Sequence, residues 1–323
     1  MNESTKATSA PMNSNTLRRS PTAAAALALL AALLLGCSTT PTPNSGEQDD
    51  GAAASTSPGQ VPAPIHVEYG SGADNYGILH LPAGQGPHPV VVMVHGGGWL
   101  EDHDLSYFEP LSTSLTDEGV AVWNIEYRRI DGAGGWPQTL ADVDNATEAL
   151  SDTVQQAADG RLDLDRVHLA GHSAGGHLAA WIAGRHTLPP GSPGEQPTIR
   201  PRSATIMAGV FDLALAATAG HDVFVRNLLG GMPNDHPDRY QIASPIDHLP
   251  IGLPVTAVYG TADATVDPAQ ALNYVAAATS AGDSAQLHSL DGVGHGEFGN
   301  VDSPAWAAAQ KIILDHVAAE TER

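Results

Sequence analysis

The sequence predicts an α/β protein with a mostly parallel central sheet and helices on both of its faces. Short runs of consecutive apolar residues are typical of strands buried on both faces. Segments of helical length separate these runs along the chain. Strands that alternate with helices form parallel sheets that are covered on both sides. Hydrophobic residues make up 42% of the 323-residue chain, which suffices for a sizeable core and excludes wholesale disorder.

The strands are expected in a regular order. Ile65–Tyr69 and Tyr76–Leu81 show apolar alternation on either side of a Gly/Ser/Asp-rich turn, which predicts an antiparallel hairpin at one sheet edge. The buried strands that follow are Pro89–Val94, Val120–Ile125, Val167–Ala170, Ala204–Ala208 and Val255–Tyr259, with a weaker one at Gln286–Leu290.

The helical patterns between the strands are Ser106–Asp117, Leu140–Ala158, Ala174–Gly184, Pro268–Ala281 and Pro304–Glu320. The stretch Phe211–Gly252 lacks a clear period and holds several Gly, Pro and His residues. We expect it to form an excursion over the carboxyl edge of the sheet.

Composition excludes several classes of function. The chain has 14 Lys and Arg residues against 36 acidic ones, a formal net charge of −22. Such a chain repels phosphate backbones, which argues against a nucleic-acid partner. The single cysteine excludes an internal disulfide and a Cys-based zinc site.

The N-terminus has the pattern of an export signal. Basic residues at Lys6, Arg18 and Arg19 precede a run of thirteen Ala and Leu residues, Ala23–Leu35. Thirteen residues are too few to span a bilayer core of about 30 Å, which needs roughly 20, so the run indicates a secretory signal.

The end of that run, Leu-Leu-Gly-Cys at residues 34–37, resembles the lipobox of bacterial lipoproteins. The resemblance implies lipidation of Cys37 and an exported protein anchored to the cell membrane; the alternative is a buried structural cysteine. Residues 37–64 are rich in Ser, Thr, Pro and Gly and predict a flexible tether. The expected organisation is therefore a signal at 1–36, a tether at 37–64 and a folded domain at 65–323.

Ser173 is the candidate nucleophile. It is central in the G-x-S-x-G motif at residues 171–175, which directly follows an apolar strand and opens an Ala-rich helix. This motif places a serine on a strained strand-to-helix turn, where side chains at the flanking glycines would collide with neighbouring elements. The alternative is an ordinary helix N-cap serine.

A second motif, HGGGW at residues 95–99, follows the third strand and matches an oxyanion-binding loop. Flexible glycines let backbone N–H groups turn toward a developing alkoxide, so Gly97 or Gly98 is a candidate donor. The amide of Ala174, at a helix N-terminus, would supply another. We expect His95 to brace this loop rather than act as a base.

The acid and the base of such a site follow the serine in chain order. Asp263 lies just past the end of a buried strand and three residues after a glycine, with Asp267 as a competitor. His295, flanked by glycines after the last strand, is the candidate base. We expect His172, His177 and His103 to have no catalytic role. The acidic loop around His103 is more typical of solvated carboxylates than of a metal site, so no metal is expected.

Taken together, residues 65–323 resemble an α/β-hydrolase. The HGGGW motif, the NIEYRR segment at 124–129, the GWP segment at 135–137 and GHSAGGH at 171–177 are similar to those of the BD-FAE-like (bifunctional feruloyl/acetyl-xylan esterase) and kynurenine-formamidase-like branch. Trp99, Tyr127 and Trp136 are candidates for lining the substrate pocket, with core or rim packing as the alternative.

The resemblance implies acyl transfer without a cofactor, with Ser173 as nucleophile, His295 as base and Asp263 as the residue that orients it. The expected function is hydrolysis of small or carbohydrate-linked carboxylic esters. The alternatives are an arylformamidase or amidase, an S9-like exopeptidase, and an inactive binding module. A location at the cell surface argues against the formamidase, because tryptophan catabolites are cytoplasmic substrates. About 260 residues leave no room for the propeller domain that such peptidases usually carry.

Overall fold

A computed structural model describes residues 59–319. The predicted signal, most of the predicted tether and the last four residues lie outside the described residues. Residues 59–64 precede the first strand and form neither helix nor strand. No helix within 59–319 combines the length and the apolar character that crossing a bilayer requires.

The fold is the predicted one, a largely parallel sheet between layers of helices. Its eight strands are β1 (Ile65–Glu68), β2 (Tyr76–His80), β3 (His88–Val94), β4 (Ala121–Ile125), β5 (Leu162–His172), β6 (Ser203–Met207), β7 (Val255–Gly260) and β8 (Ala285–Leu290), in the order β1-β2-β4-β3-β5-β6-β7-β8. The hairpin β1–β2 is antiparallel and adds to β4 in antiparallel pairing, whereas the other pairs are parallel.

The helices of residues 59–319 are α1 (Glu109–Asp117), α2 (Gln138–Glu148), α3 (Thr153–Ala157), α4 (Ala174–Gly184), α5 (Leu213–Thr218), α6 (Val223–Leu229), α7 (Pro237–Ala243), α8 (Ala269–Ala281) and α9 (Pro304–Ala319), with short 3₁₀ turns between some of them. The predicted helix at 140–158 is thus interrupted after α2. The excursion at 211–252 contains three short helices, α5 to α7, which the sequence did not predict.

The core lies on both faces of the sheet because successive side chains of a strand point to opposite sides. Along β3, Val90, Val92 and Val94 belong to one apolar cluster, while Val91 and Met93 belong to the other. All five are fully buried, which explains the continuous apolar sequence of this strand.

Helix α4 is buried along its whole length, as expected of a helix that is apolar all round. It also anchors the excursion at 211–252. Trp181 Nε1 donates to the carbonyl of Ile242 at 2.9 Å, and His177 Nε2 lies 2.9 Å from the carbonyl oxygen of Ala243. The excursion therefore packs on the same helix that begins at the predicted nucleophile.

The parallel strands bring four loops to one edge of the sheet. The carboxyl ends of β3, β5, β7 and β8 lead directly into the loops or turns that hold His95, Ser173, Asp263 and His295. Ligands bind at this edge in open α/β sheets.

Candidate active site

Ser173 occupies the turn between β5 and α4 in a strained conformation. Its backbone angles are φ 56° and ψ −121°, a region that residues other than glycine rarely enter. Two main-chain hydrogen bonds hold it there. Its N–H donates to the carbonyl of Met207 at 2.9 Å, and its own carbonyl accepts from the N–H of His177 at 3.0 Å.

The two motif glycines are required by close backbone contacts. A Cβ atom at Gly171 would lie 2.3 Å from the carbonyl oxygen of Gly175, and one at Gly175 would lie 2.0 Å from that of Val94. Backbone cannot yield by that much, so any side chain at either position would displace the turn that presents Ser173. This is the physical reason for the predicted G-x-S-x-G pattern.

The structure brings Ser173, His295 and Asp263 together in one hydrogen-bonded chain. His295 Nε2 lies 2.8 Å from Ser173 Oγ, and His295 Nδ1 lies 2.7 Å from Asp263 Oδ2. Because a carboxylate only accepts, the Nδ1 atom of His295 carries the proton, which leaves Nε2 free to accept the serine proton. The competitor Asp267 is exposed, and its carboxylate accepts instead from the N–H of Ala269 at the start of α8.

Asp263 is held as a carboxylate by its surroundings. Its side chain is only 1% exposed, and its Oδ1 accepts from the N–H groups of Thr265 and Val266 at 2.8 and 3.0 Å. Burial alone would raise the pKa of Asp263, but the hydrogen bond from His295 and the two backbone donors outweigh it and lower that pKa below its ordinary value. The negative charge is therefore available to stabilise a protonated His295.

Three residues that were predicted as oxyanion donors, Gly97, Gly98 and Ala174, line the same cavity as Ser173. Within residues 59–319, the N–H groups of Gly97 and Gly98 donate to no other group of the chain. Ala174 is the first residue of α4, so its N–H has no acceptor within the helix. Gly97 also has a φ of +101°, and a Cβ there would lie 2.3 Å from the Cβ of His103.

His95 braces the glycine loop, as its position in the sequence suggested. It is fully buried, its Nε2 lies 2.9 Å from Glu126 Oε1, and its ring stacks on that of Tyr127 at 4.4 Å. Glu126 accepts further hydrogen bonds from the N–H groups of Leu105 and Tyr127. A buried carboxylate with this many partners fixes the loop to the end of β4.

The cavity has a volume of about 730 Å³, within the range of small-molecule sites. Trp99 lines it, as predicted, but Tyr127 and Trp136 do not, so these two assignments are corrected. Tyr127 is fully buried and its hydroxyl donates to the carbonyl of His95 at 2.8 Å. Trp136 is half-buried against the larger apolar cluster. Both side chains therefore contribute to packing against the larger apolar cluster.

Sequence reasoning missed several residues of the cavity. Tyr107, Val223, Phe224 and Val266 line it, and none of them belongs to a recognisable motif. Val223 and Phe224 are 52% and 41% exposed, and they lie at the start of α6, in the excursion whose helices were not predicted. The feature that marks Val223 and Phe224 is that both are exposed apolar residues beside a cavity. This feature can be recognised only when the fold is known.

The structure offers no metal centre in its described part. No group of three or more His, Cys, Asp or Glu side chains within residues 59–319 is arranged to hold an ion. In the acidic loop, His103 Nδ1 pairs with Asp102 Oδ1 at 2.7 Å, and both side chains are at least half exposed.

Fold and site together define an α/β-hydrolase with the side chains of a serine hydrolase. The BD-FAE family matches residues 78–277, and this chain belongs to that family.

Two ester hydrolases of Mycobacterium tuberculosis are among the relatives of this chain. The chain is 28% identical over 197 residues to the probable carboxylic ester hydrolase LipM, a match that covers 59% of this chain and 44% of LipM. It is 29% identical over 204 residues to the esterase LipQ, covering 60% of this chain and 46% of LipQ. The chain thus spans about half the length of the curated relatives it matches.

Solved structures share the fold. A truncated carbohydrate esterase from gut microbiota superimposes with a TM-score of 0.66 at 20% identity, covering 81% of this chain and 99% of that one. The propionate-bound thermophilic esterase Est2 of Thermogutta terrifontis gives a TM-score of 0.65 at 24% identity, covering 80% and 94%. At these identities the likeness shows the architecture alone.

Proposed function

We propose that this protein is a serine hydrolase that cleaves carboxylic esters through an acyl-enzyme. The observation that carries the proposal is the continuous hydrogen-bonded chain from Asp263 through His295 to Ser173, with unpartnered backbone N–H groups beside it. The family and the ester hydrolases among the relatives support the same reaction class.

The proposed reaction has two halves. In the first, His295 takes the proton of Ser173 as Oγ attacks the ester carbonyl, and then gives that proton to the departing alcohol. In the second, His295 takes a proton from water as the water attacks the acyl-enzyme, and returns that proton to Ser173 Oγ as the acid is released. Asp263 holds the imidazole in the required tautomer and stabilises its cation in both halves. No cofactor takes part in this proposal.

Backbone N–H groups stabilise the negative charge of each tetrahedral intermediate in this proposal. Gly97, Gly98 and Ala174 are the candidate donors, and their unpartnered N–H groups need no reorganisation when the charge develops. Each such donor contributes roughly 3–4 kcal/mol to the transition state.

The cavity favours an uncharged ester. Its lining contains no lysine or arginine, and much of its wall is apolar, including Trp99, Leu100, Val223 and Phe224. An anionic substrate would find no counter-ion there and would be repelled by the acidic chain. We propose small or carbohydrate-linked carboxylic esters as the substrate class.

A substrate panel tests this proposal. Wild type and Ser173→Ala would be assayed on p-nitrophenyl esters of increasing acyl length, on an aryl formamide and on acetylated xylan. Ester hydrolysis by wild type that is lost in the variant supports the proposal. A clear preference for the aryl formamide, or no hydrolysis of any ester, contradicts it.

We also propose that the protein is exported and anchored in the bacterial membrane through a lipid on Cys37. Support comes from the sequence: the Leu-Leu-Gly-Cys pattern follows an apolar run and precedes a Ser/Thr/Pro-rich stretch. A bacterial lipoprotein cysteine carries at least two acyl chains, which suffices for stable anchoring. Fractionation of cells that express Cys37→Ala tests this. If that variant partitions with membranes as wild type does, Cys37 is not the anchor.

A further inference from the structure

Tyr107 lines the cavity, but the proposed reaction gives it no role. Its hydroxyl accepts a hydrogen bond from the N–H of Gly96, the first glycine of the HGGGW motif. A Cβ atom at Gly96 would lie 2.9 Å from Tyr107 Oη and 3.1 Å from the Cβ of Ser173. The phenol and the nucleophile therefore flank the same glycine.

The phenolic proton of Tyr107 is free to be donated. A hydroxyl has one donor and two acceptor positions, and the Gly96 N–H occupies an acceptor position. Within residues 59–319, no group accepts the proton of Tyr107. Burial raises the pKa of Tyr107 above its ordinary value, so the phenol remains protonated at neutral pH.

The ring of Tyr107 is held in place on several sides. It packs edge-on against Phe108 at 4.8 Å and against His95 at 6.1 Å. A Cβ atom at Gly299, in the 3₁₀ turn that begins at His295, would lie 3.3 Å from its Cε2. A donor fixed in this way can stabilise a developing charge without paying for reorganisation.

We propose that Tyr107 is a further catalytic residue, whose hydroxyl donates a hydrogen bond to the oxyanion formed when Ser173 attacks the ester carbonyl. It would act beside the backbone donors of Gly97, Gly98 and Ala174. This inference rests on the proposed ester hydrolysis. Loss of one oxyanion donor typically costs about 10²–10³ in kcat, and because three backbone donors remain, we expect a loss of about 10- to 100-fold.

The first test compares Tyr107→Phe with Tyr240→Phe. Tyr240 is the control because it does not line the cavity and its hydroxyl donates to the carbonyl of Gly231 at 2.8 Å. For Tyr107→Phe we expect kcat to fall by about 10- to 100-fold and KM to change by less than about threefold. Binding of a trifluoromethyl ketone, which forms a charged hemiketal with Ser173, should weaken by the same factor as kcat/KM. Tyr240→Phe should leave these parameters unchanged. An unchanged kcat, or a rise in KM alone, in Tyr107→Phe overturns the proposal.

The second test separates donation from support of the loop, because Phe also removes the acceptor of the Gly96 N–H. Fluorotyrosines incorporated at position 107 keep the oxygen and make the phenol more acidic. We expect kcat of the neutral form to rise with fluorination and activity at alkaline pH to be lost at a lower pH than in wild type. If neither kcat nor the alkaline limit of activity changes across the fluorotyrosine series, the role of Tyr107 is overturned while the proposed function stands. A wild type that hydrolyses no ester overturns the proposed function instead.

Discussion

His172 and His295 are joined by a hydrogen bond that links positions 123 residues apart. The Nε2 atom of His172 lies 3.0 Å from the carbonyl oxygen of His295, and because a carbonyl only accepts, Nε2 carries the proton. Burial, and after it the neighbouring His295, lowers the pKa of His172 to about 3, so the ring stays neutral and keeps this tautomer. The turn that carries Ser173 thereby holds the loop that carries His295.

Replacing His172 by Phe keeps a ring but removes the donor to the base loop. We expect kcat to fall about 10- to 100-fold because small displacements of a catalytic group are costly. The matched control is His177→Phe, since His177 is also buried and contacts a carbonyl oxygen, that of Ala243 at 2.9 Å, but does not touch His295. Steady-state kinetics would decide. Equal losses of kcat in the two variants would refute this role for His172.

Asp263→Asn should damage activity far more than Asp267→Asn. Loss of the orienting carboxylate costs on the order of 10⁴ in kcat, because the imidazole then adopts the wrong tautomer. Asp267 is exposed and accepts from one N–H at the start of α8, so its replacement should cost about 1 kcal/mol of stability at most and little activity. Kinetics and thermal melts of both variants check this. A larger loss of activity in the Asp267 variant would overturn the assignment.

The sequence predicted those parts of the molecule that carry strong local signals. The buried strands are continuous apolar runs, and the Ser173 turn needs glycines on both sides because a Cβ would meet backbone at 2.0–2.3 Å. Asp263 and His295 could be placed because each follows a strand of the predicted sheet. These features could be predicted because they depend on residues that are close in sequence, or on positions that the fold class determines.

The parts that escaped prediction depend on contacts distant in sequence. His172 gains its role from a carbonyl 123 residues away, and Tyr107 from the glycine loop. Helices α5 to α7 have six or seven residues each, too short to show a clear period. The prediction that Tyr127 lines the cavity was wrong. An aromatic side chain just after a strand can point into the core or into the cavity, and the surrounding sequence does not show which of the two it does.

The free energy of unfolding should fall in mildly acidic solution, because buried histidines stay neutral in the folded protein but take up a proton in the unfolded chain. Burial, with His316 as the next cause, lowers the pKa of His168 to about 4, against an ordinary value of 6.5. Between those values the unfolded chain binds a proton that the folded chain does not, so stability decreases as pH falls through this window. The decrease is up to about 1.4 kcal/mol per pH unit for one such group.

Urea unfolding at pH 7 and pH 5 measures this effect. His168→Gln should be less stable than wild type at pH 7, yet its loss of stability between the two pH values should be smaller by about 2 kcal/mol. Ser203→Ala is the control, because it removes the hydroxyl 2.8 Å from His168 Nδ1 and leaves the imidazole in place. It should lose as much stability as wild type between pH 7 and 5. An equal loss in His168→Gln would show that this residue does not cause the acid sensitivity.

The central claim, that Ser173 is an activated nucleophile, is tested most directly by peptide mass mapping after fluorophosphonate labelling. We expect one adduct, on Ser173, with labelling abolished in Ser173→Ala and greatly slowed in His295→Gln. The exposed serine variant Ser280→Ala should label as wild type does. An adduct on another residue, or more than about a thousandth of wild-type kcat remaining in Ser173→Ala, would contradict the account.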